Sequence, residues 1–258
     1  MITTDMAALI NANLPILVPA FFLTALIYSA GGFGGGSTYS ALLLYASVPV
    51  HAIPLVSLPC NIVVSGTGFL RAVRNGTMDA GTLGRILLVS VPSAFLGGLV
   101  PVSQRLFLVL LAAVLLFTGA ASLVRAFVSR REEILLSIPT RVRAEPSAAI
   151  IGFVSGIVGI GGGIMLSPVL QREPGADSRR VTATTSGFIA FNSLAALVAR
   201  FPIVPSDLLG PILILVGTVF VGGMVGSGIA IRGLSADRLS LITGVLLVTV
   251  ALRAFVQS

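Results

Sequence analysis

The sequence predicts an all-α membrane protein built from two internal repeats, and three observations lead to this fold class. The chain of 258 residues is 55% hydrophobic and only 10% charged, whereas soluble domains carry about a quarter charged residues. Several apolar runs approach the length of one bilayer crossing, which takes about 20 residues. A glycine-rich motif occurs twice, at 31–36 (GGFGGG) and at 156–163 (GIVGIGGG), so that Gly34 and Gly161 correspond. We therefore expect a polytopic protein whose two halves share one architecture.

The repeats divide the chain into three parts: a first transmembrane repeat at 1–127, a charged cytoplasmic linker at 128–145 and a second transmembrane repeat at 146–258. The apolar runs of the first repeat are 14–30, 53–70, 86–100 and 106–124. Those of the second repeat are 148–158, 181–199, 208–231 and 239–252. In each repeat the first run leads directly into the glycine-rich motif. Each repeat is thus predicted to hold a glycine-broken element followed by three transmembrane helices.

Two topologies fit these runs. In one, eight plain spans form two parallel repeats. In the other, each glycine-rich motif is the tip of a re-entrant element, so that each repeat crosses three times and the repeats are inverted. All 16 basic residues are Arg, and cytoplasmic loops carry the excess of basic residues. Eight plain spans would place ten of the 16 inside, whereas re-entrant elements would place 13 inside, so the sequence favours inverted repeats.

The glycine-rich motifs are poorly suited to a continuous helix, since each helical Gly costs about 1 kcal/mol relative to Ala. Non-helical backbone at membrane depth persists only where it is buried in protein or lines a wet cavity. A helix that begins after such a break directs free N–H groups and its positive dipole end at that cavity. Two such helix starts predict an anion site of the kind found in transporters with discontinuous helices. The alternative is that the small residues only allow helices to pack closely.

Polar residues inside the apolar runs give a second indication of a site. Ser57 and Asn61 share one helix face, and Thr185 and Asn192 share another. A buried Asn is costly in the membrane unless it is hydrogen-bonded. The two asparagines, at corresponding positions of the repeats, are predicted either to cap the broken backbone or to donate amide N–H groups to the substrate.

The residues predicted to contact a substrate combine these glycines and polar side chains. They are Gly32, Gly34, Gly35, Gly36, Ser57, Asn61, Gly159, Gly161, Gly162, Gly163, Thr185 and Asn192. No catalytic residue, metal site or cofactor is expected, because the chain has one Cys and one His. Asp79 and Asp207 lie at the edges of apolar runs. Each is expected to be either a helix cap or a proton carrier. Arg200 is either an interfacial arginine or an anion-attracting group at the mouth of the site.

The second motif, Gly156-x-x-Gly159-Ile160-Gly161-Gly162-Gly163 with Ser167-Pro168-Val169-Leu170 after it, resembles the sulfite exporter TauE/SafE family, which belongs to the 4-toluene sulfonate uptake permeases. The first copy departs from this pattern, with Ser40-Ala41 in place of Ser167-Pro168. The resemblance covers most of the chain. It implies a multi-pass permease of the bacterial inner membrane that moves a small sulfur-containing anion such as sulfite or an organosulfonate.

The functional expectation is therefore a secondary transporter, not an enzyme, that works by alternating access with its site between the two glycine-broken helices. An anion channel and a non-transporting membrane subunit are the alternatives. The expected partners are the anion, the lipid bilayer and, in a homo-oligomer, further copies of the chain. The net charge of +7 does not indicate nucleic-acid binding, since the Arg residues lie between apolar runs, where topology signals are expected.

Overall fold

The computed structural model describes residues 3–30, 33–127, 144–172, 177–200, 205–228, 244–245 and 247–252. Within these ranges the chain is helical and contains no strand. The helices of the first half are α1 (Thr3–Ala30), α2 (Gly36–Tyr45), α3 (Ile53–Arg74), α4 (Ala80–Leu99) and α5 (Gln104–Phe127). Those of the second half are α6 (Ala144–Val158), α7 (Gly163–Leu170), α8 (Ser178–Arg200) and α9 (Leu209–Gly228), with a 3-10 turn at Ser206–Leu208 before α9 and further helical residues at 247–252. Residue Gly32 and most of the predicted linker, 128–143, lie outside the described residues.

Six of these helices are long and apolar enough to cross a membrane: α1, α3, α4, α5, α8 and α9. This confirms a polytopic all-α protein. Helix α1 differs from its prediction, because it begins at Thr3 and continues through Pro15 and Pro19, whereas the apolar run begins at residue 14. Neighbouring helices and local adjustment can satisfy the backbone groups that a proline frees in a membrane helix.

Helices α3 and α8 form the centre of the molecule. Within their most apolar windows 56% and 67% of the residues are buried, against 28–44% for the other four spans. The two helices pack against each other, and each also contacts α4 or α9. Polar residues on α3 and α8 are therefore held in the interior, where a polar group needs a hydrogen-bond partner or a ligand.

Helices α1 and α2 form an antiparallel hairpin around the first glycine-rich motif. Near its tip the Tyr28 and Thr38 hydroxyls are hydrogen-bonded at 2.9 Å. Further from the tip, the rings of Phe21 and Tyr39 stack with centroids 4.6 Å apart. After α2, His51 Nε2 lies 2.9 Å from the sulfur of Met6 near the start of α1. The chain thus returns along α1 after the motif.

Helices of the first half of the chain pack against helices of the second half. Helix α9 packs against α1, and α4 packs against α6. Close backbone approaches at glycines give the direction of each pair. Gly222 lies against Phe22 and Gly226 against Leu26, so α9 runs parallel to α1.

Helix α6 also runs parallel to its neighbour α4, since Gly152 contacts Ser90 and Gly156 contacts Ala94. Two further pairs are also parallel. Helix α9 runs parallel to α3, because Gly223 lies near Val64 and, further along both helices, the carbonyl oxygen of Ser227 accepts a hydrogen bond from the Arg71 guanidinium at 3.0 Å. Helix α8 runs parallel to α4, because Gly187 lies near Leu83 and Ala199 lies near Gly98.

Asp79 is the N-cap residue of α4. Its carboxylate accepts hydrogen bonds from the Thr82 backbone N–H at 3.1 Å and from the Thr82 hydroxyl at 2.9 Å. These bonds to the charged form lower the pKa of Asp79 below its usual value. The cap interpretation of this residue agrees with the structure.

Candidate functional site

Each glycine-rich motif ends one helix and begins another. Gly35 and Gly162 are the N-cap residues of α2 and α7, with φ angles of 81° and 72°. Residues with a Cβ rarely adopt this left-handed conformation. The two glycines therefore allow the backbone to turn sharply inside the apolar interior, as the sequence predicted.

The two motifs meet at a narrow cleft between the halves of the chain. Its glycine lining consists of Gly34, Gly35, Gly36, Gly162 and Gly163. Its remaining lining consists of Ser37, Thr118, Ile160, Ile164, Met165 and Ile189. The approach is closest at Gly36, where an added Cβ would overlap the carbonyl oxygen of Ile160. Bare backbone is thus required for the motifs to come together.

Both helices that start at the cleft begin without a side-chain cap. The first helical hydrogen bond of α2 runs from the Tyr39 N–H to the Gly35 carbonyl, so the N–H groups of residues 36–38 precede it. In α7 the N–H groups of Met165 and Leu166 both donate to the Gly162 carbonyl. Orphan N–H groups of this kind, with the positive end of the helix dipole, favour an anion.

Asn61 of α3 contacts both motifs. A Cβ at Gly34 would lie 2.7 Å from its Oδ1, and a Cβ at Gly161 would lie 3.3 Å from its Nδ2. The side chain is fully buried, and neither amide atom has a hydrogen-bond partner within the described part of the chain. The structure therefore shows no capping bond from Asn61 to the broken backbone.

Ser57 lies one turn before Asn61 and has a partner. Its hydroxyl donates to the carbonyl oxygen of Gly159 at 2.8 Å. This bond ties α3 to the second motif, so in this conformation the Ser57 hydroxyl proton is engaged by the protein itself.

On α8 the residue that stands opposite Asn61 is Ile189. Its side chain contacts the Cβ positions of both Gly34 and Gly161, as Asn61 does. Thr185 lies beside Gly163, and its hydroxyl is buried without a partner among the described residues. Asn192 is also buried, with both amide atoms unpartnered there. Asn61, Thr185 and Asn192 are all outside the cleft lining itself, but Asn61 contacts Gly34 and Gly36 of that lining, and Thr185 contacts Gly163.

Two hydroxyls in the cleft were not anticipated. Ser37 follows the first motif directly, and Thr118 comes from the middle of α5. Both side chains are fully buried, and neither oxygen has a partner within the described ranges. The position of Ser37 at a predicted helix start could have marked it as a site residue. A single Thr in an apolar run, such as Thr118, gives no such indication in the sequence.

Charged groups do not line the described cleft. Arg200 lies at the end of α8, where its guanidinium donates to the carbonyls of Ile157 at 2.9 Å and Ala196 at 3.2 Å. No cluster of three potential metal ligands occurs in the ranges that the structure describes. The cleft therefore offers neutral donors and the ends of helix dipoles, which suit a small anion better than a cation.

The fold and this cleft define a multi-pass membrane protein with a buried polar site between two helix starts, the arrangement of a membrane transporter. The sequence model of the sulfite exporter TauE/SafE family matches residues 17–254, and the chain belongs to that family. It is 31% identical over 243 residues to a protein of Sinorhizobium fredii (strain NBRC 101917 / NGR234) named "Probable membrane transporter protein y4hK", covering 92% of this chain and 96% of that protein. No solved structure gives a significant match. The protein is thus a multi-pass bacterial membrane transporter of the TauE/SafE family.

Proposed function

We propose that the protein is a secondary transporter that carries a small sulfur-containing anion, such as sulfite or an organosulfonate, by alternating access. The observation that carries the proposal is the cleft at which two uncapped helix starts meet. Asn61, Thr185, Ser37 and Thr118 add buried hydrogen-bonding groups that have no partner in the described chain. A buried unpartnered polar group costs free energy, and a bound oxyanion would satisfy several of these donors at once.

The chemistry of the cleft favours an anion that is held and then released. Backbone N–H groups, hydroxyls and an amide donate hydrogen bonds to sulfonate or sulfite oxygens, and hydrogen bonds to charged groups are stronger than neutral ones. The described lining holds no Arg or Lys that would form an ion pair with the anion. Moderate affinity is what a carrier needs, since the substrate must leave on the far side. The sulfur class is supported by the name of the family to which the chain belongs.

The helix packing supports inverted repeats. Helices α3 and α4 are consecutive spans joined by a short connection, so they cross the membrane in opposite directions. Helix α8, the counterpart of α3, packs parallel to α4, and α9, the counterpart of α4, packs parallel to α3. Equivalent helices of the two repeats would then run in opposite directions.

The hairpin of α1 and α2 supports a re-entrant first element. The chain returns along α1 after the glycine-rich motif, so α3 would start on the side from which α1 came. Two such elements, one from each side, would meet at the cleft. If α2 and α7 separated first on one side of the cleft and then on the other, the anion would be exposed to one side of the membrane and then to the opposite side.

Inverted repeats make a definite prediction for the C-terminus. A reporter that is active only in the periplasm, fused after Ser258, is expected to be active, because three crossings per repeat leave both ends outside. A matched fusion in the loop at residue 76, predicted to be cytoplasmic, should be inactive. Silence of both fusions would contradict the proposed topology and restore eight plain spans, which place the C-terminus and the loop at residue 76 inside.

Binding of the anion is tested by thermal unfolding of the detergent-purified protein. The panel contains sulfite, sulfate, thiosulfate, sulfoacetate, taurine, acetate and chloride. A ligand that binds only the folded state raises the melting temperature, by a free energy of about 2.7 kcal/mol at 100 times Kd. We expect one or more sulfur anions, and neither acetate nor chloride, to stabilise the protein. A flat response up to about 10 mM of each anion would contradict a site for these anions.

A channel could use the same cleft, and the turnover rate separates the two mechanisms. Domain motions that alternate access occur on the microsecond to millisecond scale. Flux into vesicles at more than about 10⁵ ions per second would exceed what such motions allow. We expect a rate far below this value, with saturation at a defined substrate concentration.

A further inference from the structure

The C-terminal end of α6 is the part of the second motif that suits an anion least. A helix carries about half a positive charge at its N-terminus and about half a negative charge at its C-terminus. Helices α2 and α7 present their N-termini to the cleft, but α6 ends at Val158, directly before the second motif. The negative end of α6 therefore lies beside the cleft and, without compensation, would repel an anion bound there.

Arg200 supplies a positive charge at this helix end. Its guanidinium donates to the carbonyl oxygen of Ile157 at 2.9 Å. Ile157 belongs to the last turn of α6, which has no basic residue of its own, and precedes the cleft residue Ile160 by three positions. A cation that donates hydrogen bonds to the final carbonyls of a helix offsets the negative end of its dipole. Arg200 provides this compensation to α6 from another helix, α8.

The side chain of Arg200 lies at a junction of three helices. It also donates to the carbonyl of Ala196 in α8 at 3.2 Å. On α4, a Cβ added at Gly98 would lie 3.0 Å from its Nη1, so a glycine at this position makes room for the guanidinium. Arg200 is partly buried there, and no carboxylate pairs with it within the described ranges. Its charge therefore acts on the end of α6 and is not neutralised by an acidic partner.

A second long-range bond fixes the same turn of the chain. The Ser57 hydroxyl of α3 donates to the carbonyl of Gly159 at 2.8 Å, and the Gly159 N–H donates back to the Ser155 carbonyl of α6 at 2.8 Å. Carbonyls at a helix end need donors when they are buried in a membrane protein. Two spans, α3 and α8, provide donors at the end of α6, and of the two side chains only that of Arg200 is charged.

We propose that Arg200 is a positioning residue of the transport site. It caps α6 and offsets the negative end of its dipole, so that an anion in the cleft experiences mainly the positive ends of α2 and α7. Arg200 acts through α6 and is not part of the cleft lining. This inference rests on the proposed function of the cleft, and it accounts for how a lining without Arg or Lys can still favour an anion.

The first test measures the affinity of the purified full-length protein for sulfite, sulfate, thiosulfate and sulfoacetate by calorimetry. Arg200→Gln keeps hydrogen-bond donors at this position but removes the charge. We expect it to weaken the binding of those anions that the unmodified protein binds by about five- to thirtyfold, the effect of a charge at a partly buried helix end. Arg200→Lys keeps the charge and should bind them within about threefold of the unmodified protein.

Arg71→Gln is the matched control for the loss of one arginine. Arg71 lies near the end of α3 and donates to the carbonyl of Ser227, near the end of α9, at 3.0 Å. It thus joins two helix ends as Arg200 does, but neither Arg71 nor Ser227 belongs to a glycine-rich motif or lines the cleft. The charge of Arg71 is exposed and screened by solvent, so its removal should change anion affinity by less than about twofold.

Transport kinetics separate the electrostatic role from a purely structural one. Flux of the same four anions into vesicles is measured as a function of concentration. For Arg200→Gln we expect KM to rise in step with the loss of affinity while the maximal rate stays within about twofold. A residue that only held α6 in place would instead lower the apo melting temperature and the maximal rate, and the folded protein would keep its affinity.

Two results would overturn the role of Arg200. Unchanged anion affinity in Arg200→Gln would show that a charge at the end of α6 has no effect on the site. Binding by Arg200→Lys as weak as that by Arg200→Gln would show that the shape of the guanidinium matters and its charge does not. In both cases the unmodified protein still binds the anion, so the proposed function stands. If the unmodified protein binds none of the four anions, the proposed function fails and the role of Arg200 fails with it.

Discussion

Gly36→Ala is expected to abolish transport and to destabilise the protein. The added methyl group would overlap Asn61 Nδ2 and the carbonyl oxygen of Ile160. The second of these is backbone of the opposite motif, which cannot turn aside as the end of a side chain can. Overpacking of this kind costs about 1–3 kcal/mol, and relief of the clash would push the two helix starts apart. Transport in vesicles should fall to below about a tenth, and the apo melting temperature should drop.

Two other glycine substitutions serve as comparisons. Gly66→Ala, in the middle of α3, has no atom within 4 Å of the new methyl group, so it should keep full transport and gain stability from better helix propensity. Gly163→Ala meets chiefly the side chains of Ile189 and Thr185, which can adjust, so its loss should be smaller than that of Gly36→Ala. Normal transport by Gly36→Ala would show that the two motifs need not touch.

Much of this architecture is accessible from the sequence. Hydropathy predicts the six long helices because a bilayer crossing sets a minimum apolar length. The glycine-rich motifs predict breaks in the helices because their density is unfavourable within one, and Gly35 and Gly162 indeed take left-handed angles. Both motifs line one cleft, and Asn61 contacts both motifs. This is what we would expect if the two halves are pseudo-symmetric repeats whose equivalent elements meet near an axis.

The side chains of the cleft were harder to predict. The sequence matched Asn61 with Asn192 as corresponding positions of the two repeats. The residue that faces Asn61 across Gly34 and Gly161 is Ile189, three residues before Asn192, and hydropathy carries no information about such a contact. Thr118 was missed because an isolated threonine in an apolar run ordinarily bonds to its own helix. Only the packing of α5 against the cleft distinguishes it.

Asn61→Leu is expected to abolish transport without lowering the stability of the apo protein. Both amide atoms are buried and have no hydrogen-bond partner among the described residues. An unsatisfied buried polar group costs about 1–3 kcal/mol, and Leu, of similar size, removes that cost. A residue kept only for stability would show the opposite result. The measurements are transport in vesicles, expected below about a tenth of the unmodified level, and the melting temperature with and without the anion.

Asn13→Leu is the matched control for this substitution, because the Asn13 amide already donates to the Leu9 carbonyl within α1 at 2.8 Å. It should retain transport. Asn192→Leu extends the test to the second half, where an equally buried amide, unpartnered within the described ranges, lies outside the cleft lining, and we expect it to lose transport too. Full transport by both Asn61→Leu and Asn192→Leu would contradict the proposal that amides donate to the substrate. Full transport by Asn192→Leu alone would confine that role to the first half. An Asn61→Leu protein that is more stable but inactive would show that the Asn61 amide is retained for binding the anion in spite of its cost in stability.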